Sequence, residues 1–475
     1  MSKPVLWKSA DIAAAVNGKL TGSFAATGVS IDSRNIEPGD LFVALQGPSF
    51  DGNDFAASAL QRGAAGVLIH RRGKDLPAKA PAVEVADTMR ALEDLGRASR
   101  ARTEAKIVAV TGSVGKTSTK EALRAVLSQF GATYASVGNL NNQWGAPLSL
   151  SRMPADSRFG VFELGMNHAG EISPLSQMVR PHVAVITTVE PVHIEFFASV
   201  EGIADAKAEI FDGLLPGGAA VLPFDNAHFA RLEDKARRMG ARILSFGTKD
   251  GAWARMIDCE VSAQGTQVSA EIGGKRLRYR IAALGAHQAL NSVAVLAAAF
   301  ALDLDLDHAL PGFGAFEALK GRGKREALHI QGGAIELIDE GYNASPASVR
   351  AALRLLGELP TTFGGRRVVV LGDMRELGES GAQLHRELAP DLSAAKVDQA
   401  FLVGPLMQGL YELLPAAMRA AHKPSSDAMV ETLVAAIRPG DTVLIKGSLG
   451  TRMAPLVEAV RALGKSAAKV AANGH

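Results

Sequence analysis

Apolar residues in this chain gather in short, nearly unbroken runs more often than in alternating ones. Runs at 107–110, 159–164, 183–189, 335–338, 367–371, 399–403 and 442–445 predict strands buried on both faces, as in parallel sheets. Between them, positions 123, 126, 127 and 130 repeat at helical spacing, with Gly131 placed to stop the helix. Further helices are predicted at 87–102, 202–215 and 283–301. The stretch 261–281 is the exception, because it alternates and turns at Gly273-Gly274, which predicts a hairpin. Up to about residue 86 the runs are shorter (28–31, 41–45, 66–69, 82–85) and separated by turns such as Glu37-Pro-Gly-Asp40. There Asp54 is predicted to cap a short helix ending at Gly63.

Strands alternating with helices give an α/β fold in three domains. A small N-terminal α/β module spans 1–86, a central parallel-sheet domain 87–320, and a C-terminal Rossmann-like α/β domain 321–475. The second boundary is the glycine-broken basic link Lys320-Gly-Arg-Gly-Lys-Arg325, and the last dozen residues read as a loose tail. The 475 residues suit about three domains at ~150 each. With 47% hydrophobic and 21% charged residues and a net charge of +2, nothing global points to a nucleic-acid or membrane surface. One cysteine, Cys259, excludes an intramolecular disulfide. The start, Met-Ser-Lys-Pro-Val-Leu-Trp-Lys, lacks a signal peptide's apolar core, and 293–302 is too short for a membrane span. The expectation is a cytoplasmic protein, monomeric because no heptad run appears.

The chemistry starts at Gly112-Ser113-Val114-Gly115-Lys116-Thr117-Ser118. A strand, a glycine loop, Lys-Thr and a helix form a phosphate cradle. Backbone N–H groups and the helix N-terminus face the anion, Lys116 adds a point charge, and the Thr117 hydroxyl can hold Mg²⁺. The usual pattern has a glycine five residues before Gly-Lys, where this chain has Val110. Glu163, closing its strand, is placed either to hold a metal or simply to end the strand. Asn141 and Asn142 sit in an asparagine-rich turn, and His193 lies just past a strand. Lys207 is by composition a solvated helix lysine. His287 and Asn291 share a helix face, one turn apart. In the third domain polar residues follow strand ends at Asp339-Glu-Gly-Tyr342-Asn343, Gly372-Asp373-Met374 and Lys446-Gly-Ser448.

Taken together, from about Val29 to Met453, these motifs resemble the Mur ligase family. Thr111-Gly-Ser-Val-Gly-Lys-Thr117 resembles its short ATP loop, which accounts for Val110. Gly138-Asn-Leu-Asn-Asn142, Glu163-Leu-Gly-x-Asn-His168 and Tyr342-Asn-Ala resemble the member acting on UDP-N-acetylmuramoyl-tripeptide and D-alanyl-D-alanine. The resemblance implies a UDP-binding first domain, an ATPase centre and an ATP- and Mg²⁺-dependent peptide ligation. It further implies that Lys116 and Thr117 hold the phosphates and one Mg²⁺, and that Glu163 and His193 serve the metals. Lys207, in Ala206-Lys-Ala-Glu-Ile-Phe211, matches a carbamylated metal-binding lysine, and Lys116, His193 and Lys207 form the catalytic set. Asn291 matches the adenine contact, and Arg322 or Arg325 the linker arginine. Ser33, Arg34, Asn141, Asn142, Tyr342 and Asn343 match substrate-binding positions. The chain departs from the pattern at Asn53, at Ser345 before Pro346, and at Leu449, where Arg452 could stand in for an arginine.

Two rival readings are weighed on residues. A folylpolyglutamate synthase would share the ATP loop but not the Asn-Leu-Asn-Asn and Tyr-Asn-Ala segments. A GTPase switch needs an [Asn/Thr]-Lys-x-Asp reader, which Thr248-Lys-Asp-Gly251 misses by one residue. A nucleotide-binding protein without catalysis is a third possibility, one that the Lys-Thr pair and Glu163 do not exclude.

Overall fold

The computed structural model describes residues 3–47, 49–262, 264–315, 320–361 and 364–472. Three sheets carry most of the strands, and the fold is built as three α/β domains. The first sheet orders β1 (Lys19–Thr21), β5 (Ala82–Glu84), β4 (Gly66–Ile69), β3 (Asp40–Val43) and β2 (Gly28–Ser30); only β1 runs antiparallel to its neighbour. Helix α1 (Thr88–Ala101) follows, capped by Asp87, whose side chain accepts from Met89 N and Arg90 N. Its Ala91, Leu92 and Leu95 pack into the core of the first sheet.

The central sheet has nine strands, in the order β14-β13-β12-β11-β10-β9-β6-β8-β7. In chain order they are β6 (Lys106–Thr111), β7 (Thr133–Ala135), β8 (Phe159–Glu163), β9 (Val183–Ile186), β10 (Ala219–Pro223), β11 (Arg242–Gly247), β12 (Ala254–Ser262), β13 (Gly265–Ile272) and β14 (Lys275–Ile281). Strands β7 to β12 pair in parallel, and β12–β13–β14 in antiparallel. On β6, Val108 and Val110 enter one core and Ile107 and Ala109 the other. Both faces are therefore buried, which is why the run shows no alternation. The hairpin turns at Gly273-Gly274 as expected, but β12 adds a strand that its mixed composition, Ala-Arg-Met-Ile-Asp-Cys-Glu-Val-Ser, conceals.

Helix α2 (Lys116–Leu127) buries Leu123, Val126 and Leu127 on the first of these cores, beside α5 (Ala286–Ala301), whose 293–299 stretch is buried throughout. Between them in sequence lie α3 (Gly145–Ser151) and α4 (Val200–Ala208). Helix α4 starts two residues earlier than predicted because the Ser199 side chain accepts from Gly202 N, and it passes into a 3₁₀ turn at Glu209–Gly213. The third sheet is β15-β16-β20-β17-β18-β19, from β15 (Lys324–Ile330), β16 (Gly333–Glu340), β17 (Arg367–Gly372), β18 (Gln399–Val403), β19 (Arg419–Lys423) and β20 (Thr442–Lys446). All its pairs are parallel except β15–β16, so the basic link runs directly into an antiparallel edge strand.

Two local expectations are corrected. The side chain capping the turn before the helix at Ala56–Gln61 is Asp51, which accepts from Asn53 N, while Asp54 lies inside the 3₁₀ turn Gly52–Phe55. As far as Ala472 the expected loose tail is helical, because helix α6 (Ala454–Ala472) runs through it, and 473–475 lie outside the described residues. Leu456, Val457 and Val460 anchor that helix in the third core, and the alanines and lysines beyond are strong helix formers. No helix among the described residues is long and apolar enough to cross a membrane.

Because Leu123 is wholly buried where α2 meets the sheet, Leu123→Ala should destabilise the central domain by about 2–5 kcal/mol in urea unfolding. A loss below about 1 kcal/mol would mean that this helix is not packed as described.

Candidate active site

Strand β6 lies between β8 and β9, although the chain visits β7 and β8 before crossing back to β9. Its carboxyl end is thus a topological switch point, where open α/β sheets bind ligands. The chain leaves β6 through Gly112 (φ +148°) and reaches α2 through Gly115 (φ +87°). A Cβ on Gly112 would stand 1.9 Å from Thr187 Oγ1, and one on Gly115 3.1 Å from Asn291 Nδ2. Only glycine satisfies both the backbone and the crowding. The residues between are braced on the chain after β9. Ser113 N donates to Thr188 O (2.9 Å), Ser113 Oγ donates to Glu190 O (2.9 Å), and Thr187 Oγ1 donates to Val114 O (2.6 Å). At the start of α2 the first N–H groups have no intrahelical partners.

Two side chains, one from this loop and one from a neighbouring segment, meet on one carboxylate. Glu163, at the end of β8, is 2% exposed; its Oε2 accepts from Thr117 Oγ1 and its Oε1 from Asn141 Nδ2, each at 2.8 Å. Among the described residues no three His, Cys, Asp or Glu side chains converge as a metal cage. A hydroxyl beside a carboxylate next to a phosphate cradle nevertheless fits Mg²⁺, which takes one or two protein oxygens and fills the rest from phosphates and water. Lys116 Nζ donates to Gly112 O (2.6 Å) and Ser113 O (3.4 Å), folded onto its own loop. Burial lowers its pKa, Glu163 opposes that shift, and the charge of Arg322 adds to it.

Lys207 is not the solvated lysine that composition suggests. It sits on the last turn of α4 at 3% exposure, and burial followed by the charge of Lys116 takes its pKa well below the ordinary lysine value. The amphipathic pattern of α4 is too weak to tell its inner face from its outer one, so the sequence does not show this burial. His193 stands close by in a left-handed conformation (φ +61°), and its imidazole pairs with Glu376, also left-handed (φ +63°), from the third domain. Burial lowers the His193 pKa, with Glu376 opposing and Lys116 and Lys207 adding to the fall.

The basic link closes the other side. The Arg322 guanidinium lies 4.2 Å over the Tyr342 ring, a cation–π contact. Arg325 instead donates through Nε to Glu336 Oε1 (2.7 Å) within the β15–β16 pair. A cavity lined by Ser118, His287, Gln288, Arg322, Arg325 and Glu340 opens between the central and third domains, and Asn291 lines a smaller one beside it. Asn343 O accepts from Lys446 Nζ (3.1 Å), which also donates to Glu340 Oε2 (2.8 Å). Other candidates stay apart. Asn142 Oδ1 accepts from Gly145 N (3.0 Å), in the turn that leads into α3. Ser33 begins a 3₁₀ turn in the first domain, where the largely exposed Arg34 is held by its own Asp32. Asn53 is buried, its amide between Asp51 and His70.

Two residues at the site went unread in the sequence. Glu376 carries no local signal, since its meeting with His193 joins two domains. Lys120 carries one that was missed. It lies one turn past Lys116 on α2, and it is wholly buried.

Three family models match the chain: "Mur ligase family, catalytic domain" over residues 25–100, "Mur ligase middle domain" over 110–299, and "Mur ligase, glutamate ligase domain" over 327–449. The UDP-N-acetylmuramoyl-tripeptide–D-alanyl-D-alanine ligase of Rickettsia prowazekii is 32% identical over 96% of this chain and 99% of its own. A crystal structure of MurF from Acinetobacter baumannii superposes with a TM-score of 0.83 at 30% identity, covering 96% of this chain and 99% of that one. The MurF ligase of Thermotoga maritima, solved in complex with ADP, superposes with a TM-score of 0.77 at 26% identity over 92% and 98%.

Gly112→Ala would drive a methyl group into Thr187. It should leave the circular-dichroism spectrum unchanged while weakening ADP binding at least ~10-fold by calorimetry; unaltered affinity would show that the loop conformation does not matter to binding.

Proposed function

Given that the chain belongs to the Mur ligase family, we propose that it joins D-alanyl-D-alanine to UDP-N-acetylmuramoyl-tripeptide, using ATP, in peptidoglycan precursor synthesis. The observation that carries this reading is 32% identity to a ligase of that name over nearly the whole of both chains. One solved folylpolyglutamate synthase, from Mycobacterium tuberculosis, is 18% identical over 78% of this chain, a likeness of fold alone. Phosphate release should require ATP, UDP-linked tripeptide and D-alanyl-D-alanine together. Equal release with a folate and glutamate would overturn the assignment.

A carboxylate does not react with an amine in water, because its oxygen is a poor leaving group. Moving the γ-phosphoryl of ATP to the tripeptide carboxylate, with ADP leaving, gives an acyl phosphate. The free amine of D-alanyl-D-alanine then attacks the carbonyl carbon, phosphate departs, and the nitrogen loses a proton. In this reading the loop 112–118 orients the phosphates, and Lys116 swings off its own carbonyls to neutralise the transferring group. Mg²⁺ supplies further charge neutralisation when bound, and Thr117 and Glu163 would hold it. Asn291 faces the adenine, and Arg322 is the linker arginine, since Arg325 is already engaged by Glu336. Ser33 and Arg34 belong to the UDP module, and Asn141, Asn142, Tyr342 and Asn343 to the peptide side. We also propose the domain divisions at 86/87 and 320/321. We also place the protein in the cytoplasm, where ATP and UDP-linked precursors are found, and take it as a monomer.

Lys116→Ala should abolish ligation, by at least ~10³-fold in kcat, in a protein that keeps its melting temperature within a few degrees. A folded variant with near wild-type turnover would remove Lys116 from the chemistry.

We read Lys207 as a carbamate. Burial favours the neutral amine, which adds CO₂ with loss of a proton, giving an anion with two oxygens near the metal end of the site. An ammonium there would repel both Lys116 and the metal. Lys207→Ala should lose most activity and regain part of it with added short-chain carboxylates; full activity without them would rule the carbamate out.

A further inference from the structure

Lys120 has no exposed surface. A buried ammonium is costly unless each of its three N–H bonds is used, and an apolar side chain of similar size would avoid that cost. Here two are used by backbone carbonyls, and a carboxylate pairs with the charge. Nζ donates to Ser136 O (2.6 Å) and Gly138 O (3.1 Å), and Glu121 Oε1 lies 3.1 Å away. Glu121 is itself held by Arg124 Nε at 2.7 Å.

The two carbonyls belong to the segment that leads into the loop carrying Asn141. That segment has little packing of its own, since Val137 is 61% exposed and a Cβ on Gly138 would meet nothing within 4 Å. Yet it sets both ends of Glu163. Ser136 Oγ accepts from Glu163 N (3.2 Å), and Asn141 Nδ2 donates to Glu163 Oε1 (2.8 Å). The other carboxylate oxygen accepts from Thr117 on the helix that carries Lys120. A ring therefore closes from α2 through Lys120 to the 136–138 backbone, on to Asn141 and Glu163, and back through Thr117 to α2.

We propose that Lys120 is a positioning residue of this site: it ties the 136–142 loop to α2 and thereby fixes where the Glu163 carboxylate stands relative to Thr117. It touches no substrate. The proposal rests on the ligase reading only for the part of its test that uses metal and nucleotide.

Lys120→Met keeps most of the unbranched side chain and removes its donors. In the full-length folded variant, amide exchange across 136–142 should quicken, and Mg²⁺ should enhance ADP affinity roughly 10-fold less than in the wild type, while metal-free ADP binding stays within about two-fold. Combined with Asn141→Ala, the loss should not exceed that of the worse single variant, because both break one ring. Unchanged exchange, an unchanged Mg²⁺ effect, or penalties that multiply would each overturn the proposal. If Lys120→Met does not fold, Lys120→Gln and Lys120→Leu carry the same measurements. Failure of all three to fold would make Lys120 a stability residue and likewise overturn it. A wild type unable to ligate D-alanyl-D-alanine would sink the ligase reading, yet would leave the exchange and coupling results readable.

Discussion

The carboxylate of Glu163 is where the site is tied together. Thr117 arrives from α2, Asn141 from the loop before α3, and Glu163 itself from β8. Each hydrogen bond to a buried carboxylate is charge-assisted and stronger than a neutral one, and loss of a partner would leave a buried charge exposed to its full desolvation cost. The crossover that separates β8 from β9 makes the meeting possible, because it opens a gap at the end of β6 that a simple ladder would close.

Two cations bear on that one anion. Arg322 adds to the fall in the Lys116 pKa, and the charge of Lys116 in turn adds to the fall in the Lys207 pKa. A site with this excess suits a polyanionic ligand, whose phosphates replace the missing counter-charge. The third domain answers in kind. Glu376 reaches His193, Arg322 stacks on Tyr342, and Lys446 holds Glu340 with the Asn343 carbonyl. Of these, the His193–Glu376 pair crosses between domains, and its Glu376 is partly open to solvent, as suits a contact able to rearrange.

Much of this was legible in the chain itself, and for a local reason. A strand buried on both faces writes itself as an unbroken apolar run, so β6, β9, β17, β18 and β20 could be read directly. The glycine loop is legible because φ near +148° and +87° restricts Gly112 and Gly115 to one residue type. The position of Glu163 at a strand end follows from the run that precedes it. Edge and antiparallel strands such as β12 and β15 were not legible, since one open face admits polar residues and blurs the pattern.

What the sequence determined by itself was therefore the cradle, the strand–helix alternation and the three α/β units, all properties of short contiguous windows. Tertiary structure alone decided which lysines are buried. Lys116, Lys120 and Lys207 look alike in composition, but the first lies on its own loop, the second braces a neighbouring segment, and the third faces inward with no hydrogen-bond partner among the described residues. It also decided that Asp51 rather than Asp54 caps its turn, and that His193 meets Glu376 across a domain boundary. Burial and pairing depend on residues distant in the chain, and no window of sequence contains both members of such a pair.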